Sequence, residues 1–559
     1  MTYVNRKLFL TILVLAIAAL ALTFPLGWNG YLSGHDYPIH MRWYTFFHDQ
    51  QMHGDIYPRW LMSMNAGQGS PVFYFYAPVP YFITGLLHPL FPAGVYATHQ
   101  IGAAATLAVF VSSLTMFLWL RSPLGTLPAF GAALTYLLLP YHVLIDVYRR
   151  FAFAEVWALA WMPLVLWFTQ RLVEGKRYVI PSLALAYALL IMTHLPSTLL
   201  FSLVPMLYLG MSLSGRERTH ALLKLVGAYM LGIGLAAIYL LPAMTTQEFV
   251  SVNEIASGID SVFDNFLFYG KRFATGNVGD FYREVTEATL ITGAVVVLAF
   301  IVALTTRRLK VQLVVFWFTM AVISLFMTHP FSAPIWRIMQ PLQIVQFPWR
   351  FDGLLTLAAA VLCGYALVAL QKRPTLLALS AIALILTLLV LPWVPEMKPM
   401  LWNSVKAFKP YPEYFLNNFD AYEYRPQWVP LARYMELQKV DLSSKPEARA
   451  AVIAGSGKVV VTRWQPGDIR LKSDGDSAVS LKIRQYFYPS WQAQVVGSQA
   501  LLALRPALGD GLISLDLPAG SHSVELILTP LPVELWGRGI SLIALLVVVA
   551  LLLVEARRR

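Results

Sequence analysis

Arg6-Lys7 followed by Leu8-Phe9-Leu10-Thr11-Ile12-Leu13-Val14-Leu15-Ala16-Ile17-Ala18-Ala19-Leu20-Ala21-Leu22 is the stretch that decides the fold. A run this apolar suits a helix crossing a hydrocarbon core of about 30 Å. Lipid offers backbone N–H and C=O groups no partners, so the segment must satisfy them internally as a helix. The preceding cations would suit a secretory leader. No small-residue cleavage site follows, because the run continues into Phe24-Pro25-Leu26, and it reads as an uncleaved first span. Similar runs recur along the chain. The expected spans are 8–27, 98–119, 124–140, 154–170, 178–193, 197–213, 222–241, 287–305, 311–328, 352–371, 375–393 and 536–554.

Composition agrees. Of 559 residues, 57% are hydrophobic and 13% charged. Mean hydropathy is +0.59. A soluble chain of this length would need more polar surface to cover its core. The net charge of +12 sits largely in short loops between spans, where it sets orientation; no basic, aromatic-interleaved module for nucleic acid is present. The single cysteine, Cys363, lies in an apolar segment, which excludes an intrachain disulfide and a multi-cysteine metal site.

Alternating sides along the spans gathers Arg6-Lys7, Arg121, Arg171, Lys176-Arg177, Arg216, Arg218, Arg307-Arg308, Lys310, Lys372-Arg373 and Arg557-Arg558-Arg559 on one face. All its loops are short and basic, so that face is expected to be cytoplasmic, with both termini. The long segments 28–97, 141–153, 242–286, 329–351 and 394–535 fall on the other face. Residues 394–535 are expected to form an extracytoplasmic domain, β-rich from about 455. Its runs, such as Ala478-Val479-Ser480-Leu481-Lys482-Ile483 and Ser523-Val524-Glu525-Leu526-Ile527, alternate with period two between turns such as Asp474-Gly475-Asp476, the pattern of an antiparallel β-sandwich. The expected organisation is a transmembrane unit over 1–393, this domain over 394–535, and a last helix with a basic tail over 536–559.

Candidate functional residues cluster in the outer segments. Asp36 in Gly34-His35-Asp36 precedes a helical stretch with His40 four residues on; Asp36 also suits an N-cap. The aromatic run Phe73-Tyr74-Phe75-Tyr76 reads as a short re-entrant element or an interfacial belt. Glu155 opens an apolar span, where a carboxylate is costly unless paired. Arg149, Arg150, Arg337 and Arg350 lie near span ends on the side where positive charge is disfavoured. Each therefore needs a phosphate to grip bidentately, or a carboxylate such as Asp146, Asp352 or Glu155. His194 and His329 stand at outer helix ends before Pro196 and Pro330, either at the site or as plain interface residues.

Gly34-His35-Asp36, Ala154-Glu155, Thr193-His194-Leu195-Pro196 and Gln346-Phe347-Pro348-Trp349-Arg350-Phe351 together resemble bacterial membrane proteins of the GT-C glycosyltransferase superfamily. More narrowly, they resemble its group with a 6-pyruvoyl-tetrahydropterin synthase related domain. Gln485-Tyr486-Phe487-Tyr488-Pro489-Ser490-Trp491 resembles the β-domain that ends many such proteins. The resemblance implies a GT-C-like fold of about twelve helices in the bacterial inner membrane. It implies an inverting transfer of sugar from a polyprenyl-phosphate donor to an extracytoplasmic glycan, lipid or protein acceptor, with the bilayer as a partner and no nucleic acid. In that reading Asp36 is the general base and Glu155 a second catalytic carboxylate. His40, Arg149, Arg150, His194, Arg337 and Arg350 bind substrate. A divalent metal is left open, with no cofactor otherwise implied. The pterin chemistry in the group's name finds no Cys/His site here. The alternative is a non-catalytic scaffold or transport component of envelope polysaccharide assembly.

Overall fold

The computed structural model describes residues 3–29, 34–91, 97–252, 261–305, 310–371, 420–437 and 448–557. Among them, nine helices are long and apolar enough to cross a membrane, and Leu8–Phe24 and Val179–Ile191 are shorter apolar helices. Each expected span within the described residues meets a helix. The span expected at 375–393 and the first part of the domain expected from 394 lie outside the described residues.

One boundary is corrected. Tyr141–Arg150, expected within an outer loop, is a π-helix that extends Thr126–Leu138 into one span, Thr126–Arg150. Its charges looked like loop charges. Asp146 and Arg150, four residues apart, instead pair with each other at 2.7 Å and are both buried, so the helix carries them inside. The π-helix is a rare conformation that concentrates at functional sites.

The helices present apolar side chains outward, Leu203 at 66% and Leu298 at 63% exposure among them, as lipid contact requires. The last helix, Pro532–Arg557, packs along Gly215–Thr245. A Cβ on Gly537 would stand 2.7 Å from Ala237 O, so only glycine allows this approach. Ser541 Oγ then donates to Leu235 O at 2.9 Å.

Among the described residues nine strands form the β-domain: β1 Ala450–Ala454, β2 Gly457–Gln465, β3 Asp468–Gly475, β4 Val479–Tyr486, β5 Trp491–Val495, β6 Leu501–Leu502, β7 Arg505–Pro506, β8 Leu512–Leu517 and β9 Gly520–Leu528. They make two antiparallel sheets, ordered β1-β4-β8-β7 and β2-β3-β9-β5-β6. The alternation puts Ile469, Leu471, Leu481, Ile483, Leu515, Val524 and Leu526 into one shared core.

The β-domain sits on the first long loop. Trp60 Nε1 donates to Gln485 Oε1 at 2.8 Å, and Gln485 Nε2 donates to Gly67 O at 2.7 Å and Met62 O at 3.1 Å. Tyr486 N donates to Gln68 O at 2.6 Å. Below it, Arg59 forms a buried ion pair with Glu534 of the last helix at 2.9 Å and donates to Ile238 O at 2.6 Å. The aromatic run is no lipid belt: Phe73, Tyr74 and Phe75 are buried, and Tyr74 Oη shares a hydrogen bond of 2.9 Å with Ser490 Oγ. Loop, β-domain and last helix therefore form one packed unit above the helix ends.

Candidate functional site: an acid and arginine cluster at the helix ends

The chain leaves the π-helix through Phe151, held at φ 55°, and Glu155 falls in the first turn of Phe153–Val173. A left-handed backbone at a bulky residue costs energy and marks sites where packing enforces it. Gly34–Asp36 runs against this corner. Asp36 N donates to Arg150 O at 2.8 Å and His35 N to Arg149 O at 3.2 Å. A Cβ on Gly34 would stand 2.8 Å from Phe151 Cβ, which accounts for glycine before His35-Asp36.

Glu155 is the hub. Its Oε1 accepts from Tyr141 Oη at 2.7 Å; its Oε2 accepts from Arg150 Nη1 at 2.9 Å and Arg350 Nε at 3.3 Å. Arg150 Nη1 also reaches Asp146 Oδ1. Arg350 Nη1 donates to Val345 O at 2.6 Å and to Gln346 Oε1 at 3.4 Å, and Gln346 holds a second left-handed backbone, φ 63°. Both guanidinium groups flank the Phe347 ring, Arg350 at 5.0 Å and Arg150 at 6.0 Å. Arg350 Nη2 makes no hydrogen bond among the described residues.

Asp36 differs from these acids. It precedes Tyr37–Met52 but makes no cap hydrogen bond, so the N-cap reading is set aside. Its half-buried carboxylate has no hydrogen bond or ion pair among the described residues. Burial pushes this carboxyl above its ordinary range, and the charges of Arg150, His35 and Arg350 pull partly against that rise. Asp36 is thus the open acid of the group, within the field of both arginines.

His194 joins the cluster. Its Nδ1 bonds Ser197 Oγ at 2.7 Å and accepts from Ser197 N, which caps Leu195–Phe201, while its Nε2 has no partner among the described residues. Burial, aided by Arg350, lowers its pKa to about 3, so the ring is neutral. His40 is also neutral, lowered to about 3 by burial and then by Arg150. It is buried among Trp43, Tyr76, Tyr81, Phe151 and Phe153, and its Nδ1 bonds Tyr81 Oη at 2.7 Å. That ring orients the wall of the site and contacts Asp36 only through a backbone bond, His40 N to Asp36 O at 3.1 Å.

Two expected residues go elsewhere. Arg149 turns to the helix Asn277–Ala303 and holds Glu284 with a hydrogen bond from Nη2 at 2.8 Å and an ion-pair contact from Nε at 2.7 Å, so a carboxylate answers its charge. Arg337 is exposed and stacks over Phe263 at 5.5 Å, with no contact to the cluster. His329 caps the turn Pro330–Ser332 through its Nδ1, the plain structural role. Sequence reading missed Tyr141 as a partner and held Asp146 only as a counter-charge; the spacing of Asp146 and Arg150, one helical turn apart, was the available signal. Among the described residues no three His, Cys, Asp or Glu side chains are grouped to hold a metal. Glu155 is saturated by Tyr141, Arg150 and Arg350, and Asp146 gives Oδ1 to Arg150 while its Oδ2 is buried without a hydrogen bond; Asp36 is the acid of the cluster with neither oxygen paired among the described residues. The described residues of the cluster do not assemble a divalent-ion site, and no step below passes through one.

A family model described as a 6-pyruvoyl-tetrahydropterin synthase related domain, membrane protein, matches residues 73–400. No curated protein matches the chain. Among solved structures, a cryo-EM structure of the arabinofuranosyltransferase AftD from Mycobacteria is similar at 15% identity and a TM-score of 0.44, over 68% of this chain and 26% of that one. A mutant of the same protein is similar at 16% identity and a TM-score of 0.45, over 68% and 27%. This chain thus spans about a quarter of the length of those proteins.

Proposed function

This chain belongs to the membrane-protein family described by the 6-pyruvoyl-tetrahydropterin synthase related domain, and from that footing we propose that it is an integral-membrane glycosyltransferase. It moves a sugar from a polyprenyl-phosphate donor to an acceptor hydroxyl on the extracytoplasmic face of the bacterial plasma membrane. The observation that carries the reading is the Asp36 carboxylate, without a partner among the described residues, in the field of two arginines that Glu155 holds in place.

The chemistry follows from these groups. Asp36 takes the proton of the acceptor hydroxyl as that oxygen bonds to the sugar C1. The bond from C1 to the phosphate oxygen breaks, and its electron pair leaves with the phosphate. Arg350 Nη2 and the neutral His194 Nε2 are open donors for that oxygen anion, with Arg150 behind them. One displacement inverts C1. Glu155, expected as a second catalytic acid, acts here as a positioning residue, because its oxygens are taken by Tyr141, Arg150 and Arg350. The short basic loops on the opposite face support a cytoplasmic side there.

A second reading, a scaffold or transport component that keeps the fold without turnover, has one observation in its favour. Asp146 and Glu155 already offset Arg150 and Arg350, so little positive charge is left over for a phosphate. The test is turnover by the purified full chain. Radiolabelled polyprenyl-phosphate sugars are supplied with envelope glycans, and both bound donor and released prenyl phosphate are counted. Release with transfer supports the enzyme; retention without release supports the scaffold.

A further inference from the structure

Away from the cluster, two histidines face each other. His48 lies on Tyr37–Met52, and His88 begins the turn that follows Val79–Leu87. Their ring centroids are 4.4 Å apart at 50°. Both nitrogens of His48 and Nδ1 of His88 are shielded from solvent and make no hydrogen bond of good geometry among the described residues, the Gln51 side chain being the neighbour that interacts with His48. Each neutral imidazole has a donor and an acceptor to satisfy, and a shielded polar atom left unmade costs about 1–3 kcal/mol. Three such atoms in one contact call for a ligand.

The surroundings leave room for one. Gly85 sits one helical turn before His88. A Cβ there would stand 3.3 Å from Gln51 Oε1 and 3.5 Å from His48 Nδ1. Gln51 is one turn after His48, and its amide nitrogen turns away to Ile56 O at 3.4 Å, leaving the oxygen on the histidine side. The Tyr44 ring stacks on His48 at 5.5 Å and fixes the ring plane. Two packed helices thus offer an imidazole pair, an amide oxygen and a gap where a side chain is missing.

We propose that His48 and His88, with Gln51 Oε1 and solvent, bind one borderline divalent transition-metal ion of the zinc class between the helices Tyr37–Met52 and Val79–Leu87 of the outer loop. Imidazole nitrogens suit zinc, copper and nickel, and zinc accepts a mixed nitrogen and oxygen set with an open position. The ion staples Tyr37–Met52, the helix that starts beside Asp36, to Val79–Leu87. It is separate from the acid and arginine cluster.

The probe is Zn²⁺ alone, added in competition with a chromogenic chelator to the tag-free, chelator-stripped full chain in detergent. One equivalent is expected to bind and to raise the thermal midpoint. His88→Ala and His48→Ala are expected to weaken binding by at least the roughly 10- to 100-fold that loss of an outer-shell partner brings. His53→Ala, which removes the nearby exposed histidine paired with Asp49, leaves binding unchanged. Gly85→Ala keeps both ligands and fills the gap, so it weakens binding in a chain that stays monodisperse. No uptake by the wild type, or equal uptake by wild type and His88→Ala, overturns the proposal.

Discussion

Replacing Glu155 by Gln isolates the electrostatic frame of the cluster. The carboxylate is 3% exposed; its partners Arg150 and Arg350 are 5% and 11% exposed. Taking one partner from a buried ion pair strands the other, at about 3–5 kcal/mol. Arg150 keeps Asp146 at 2.7 Å, and Arg350 keeps Val345 O, so the loss sits at the low end, about 3 kcal/mol. Arg149→Gln supplies the comparison. Its pair with Glu284 is 26% and 29% exposed, and pairs open to water contribute about 0–1 kcal/mol. Both variants are unfolded by denaturant in mixed micelles and followed by tryptophan fluorescence. Glu155→Gln is expected to lose about 2 kcal/mol more than Arg149→Gln. Equal losses would refute the idea that Glu155 is a buried hub.

The remaining predictions concern pH and docking. His40 and His194 each have a folded-state pKa near 3 against an ordinary 6.5. The unfolded chain takes up protons below pH 6.5 that the folded chain refuses, so stability falls as pH drops from 6.5 toward 3. At pH 5 this is about 2 kcal/mol for each histidine. Asp36, held above its ordinary range by burial, works in the opposite sense, so the discriminator is His40→Phe, which should flatten the melting-temperature slope between pH 7 and 5. An unchanged slope contradicts the assignment. Gln485→Ala removes its three bonds to the first loop, at about 1 kcal/mol each. It should speed proteolysis at the junction of loop and β-domain while the β-domain itself stays resistant; an unchanged cleavage rate argues against the docking.

The spans were legible because lipid imposes one rule on every residue inside it, and hydropathy reads that rule directly. Strand alternation in Val479–Tyr486 was legible for the same kind of reason: period two separates core from surface. Asp36, Glu155, Arg150 and Arg350 could be nominated from their cost at an outer helix end. Their partners could not. Glu155 meets Arg350 across 195 positions and Trp60 meets Gln485 across 425, and local pattern carries no trace of either contact. Tyr141–Arg150 looked like a loop because its charges satisfy one another inside a π-helix instead of meeting water. Arg149 and Arg150 are adjacent and alike in sequence. The direction of one turn sends the first to Glu284 and the second to Glu155.

The most direct test is the transfer rate of Asp36→Asn with a radiolabelled prenyl-phosphate sugar, set beside its affinity for that donor. Asn keeps the shape and cannot take a proton. The rate should fall by about 100-fold or more with donor binding retained, since a positioned base contributes that much. The wild type should lose rate at acid pH along a limb displaced above the ordinary carboxylate range. A variant that transfers at the wild-type rate would contradict the account, for Asp36 would then have no part in the reaction.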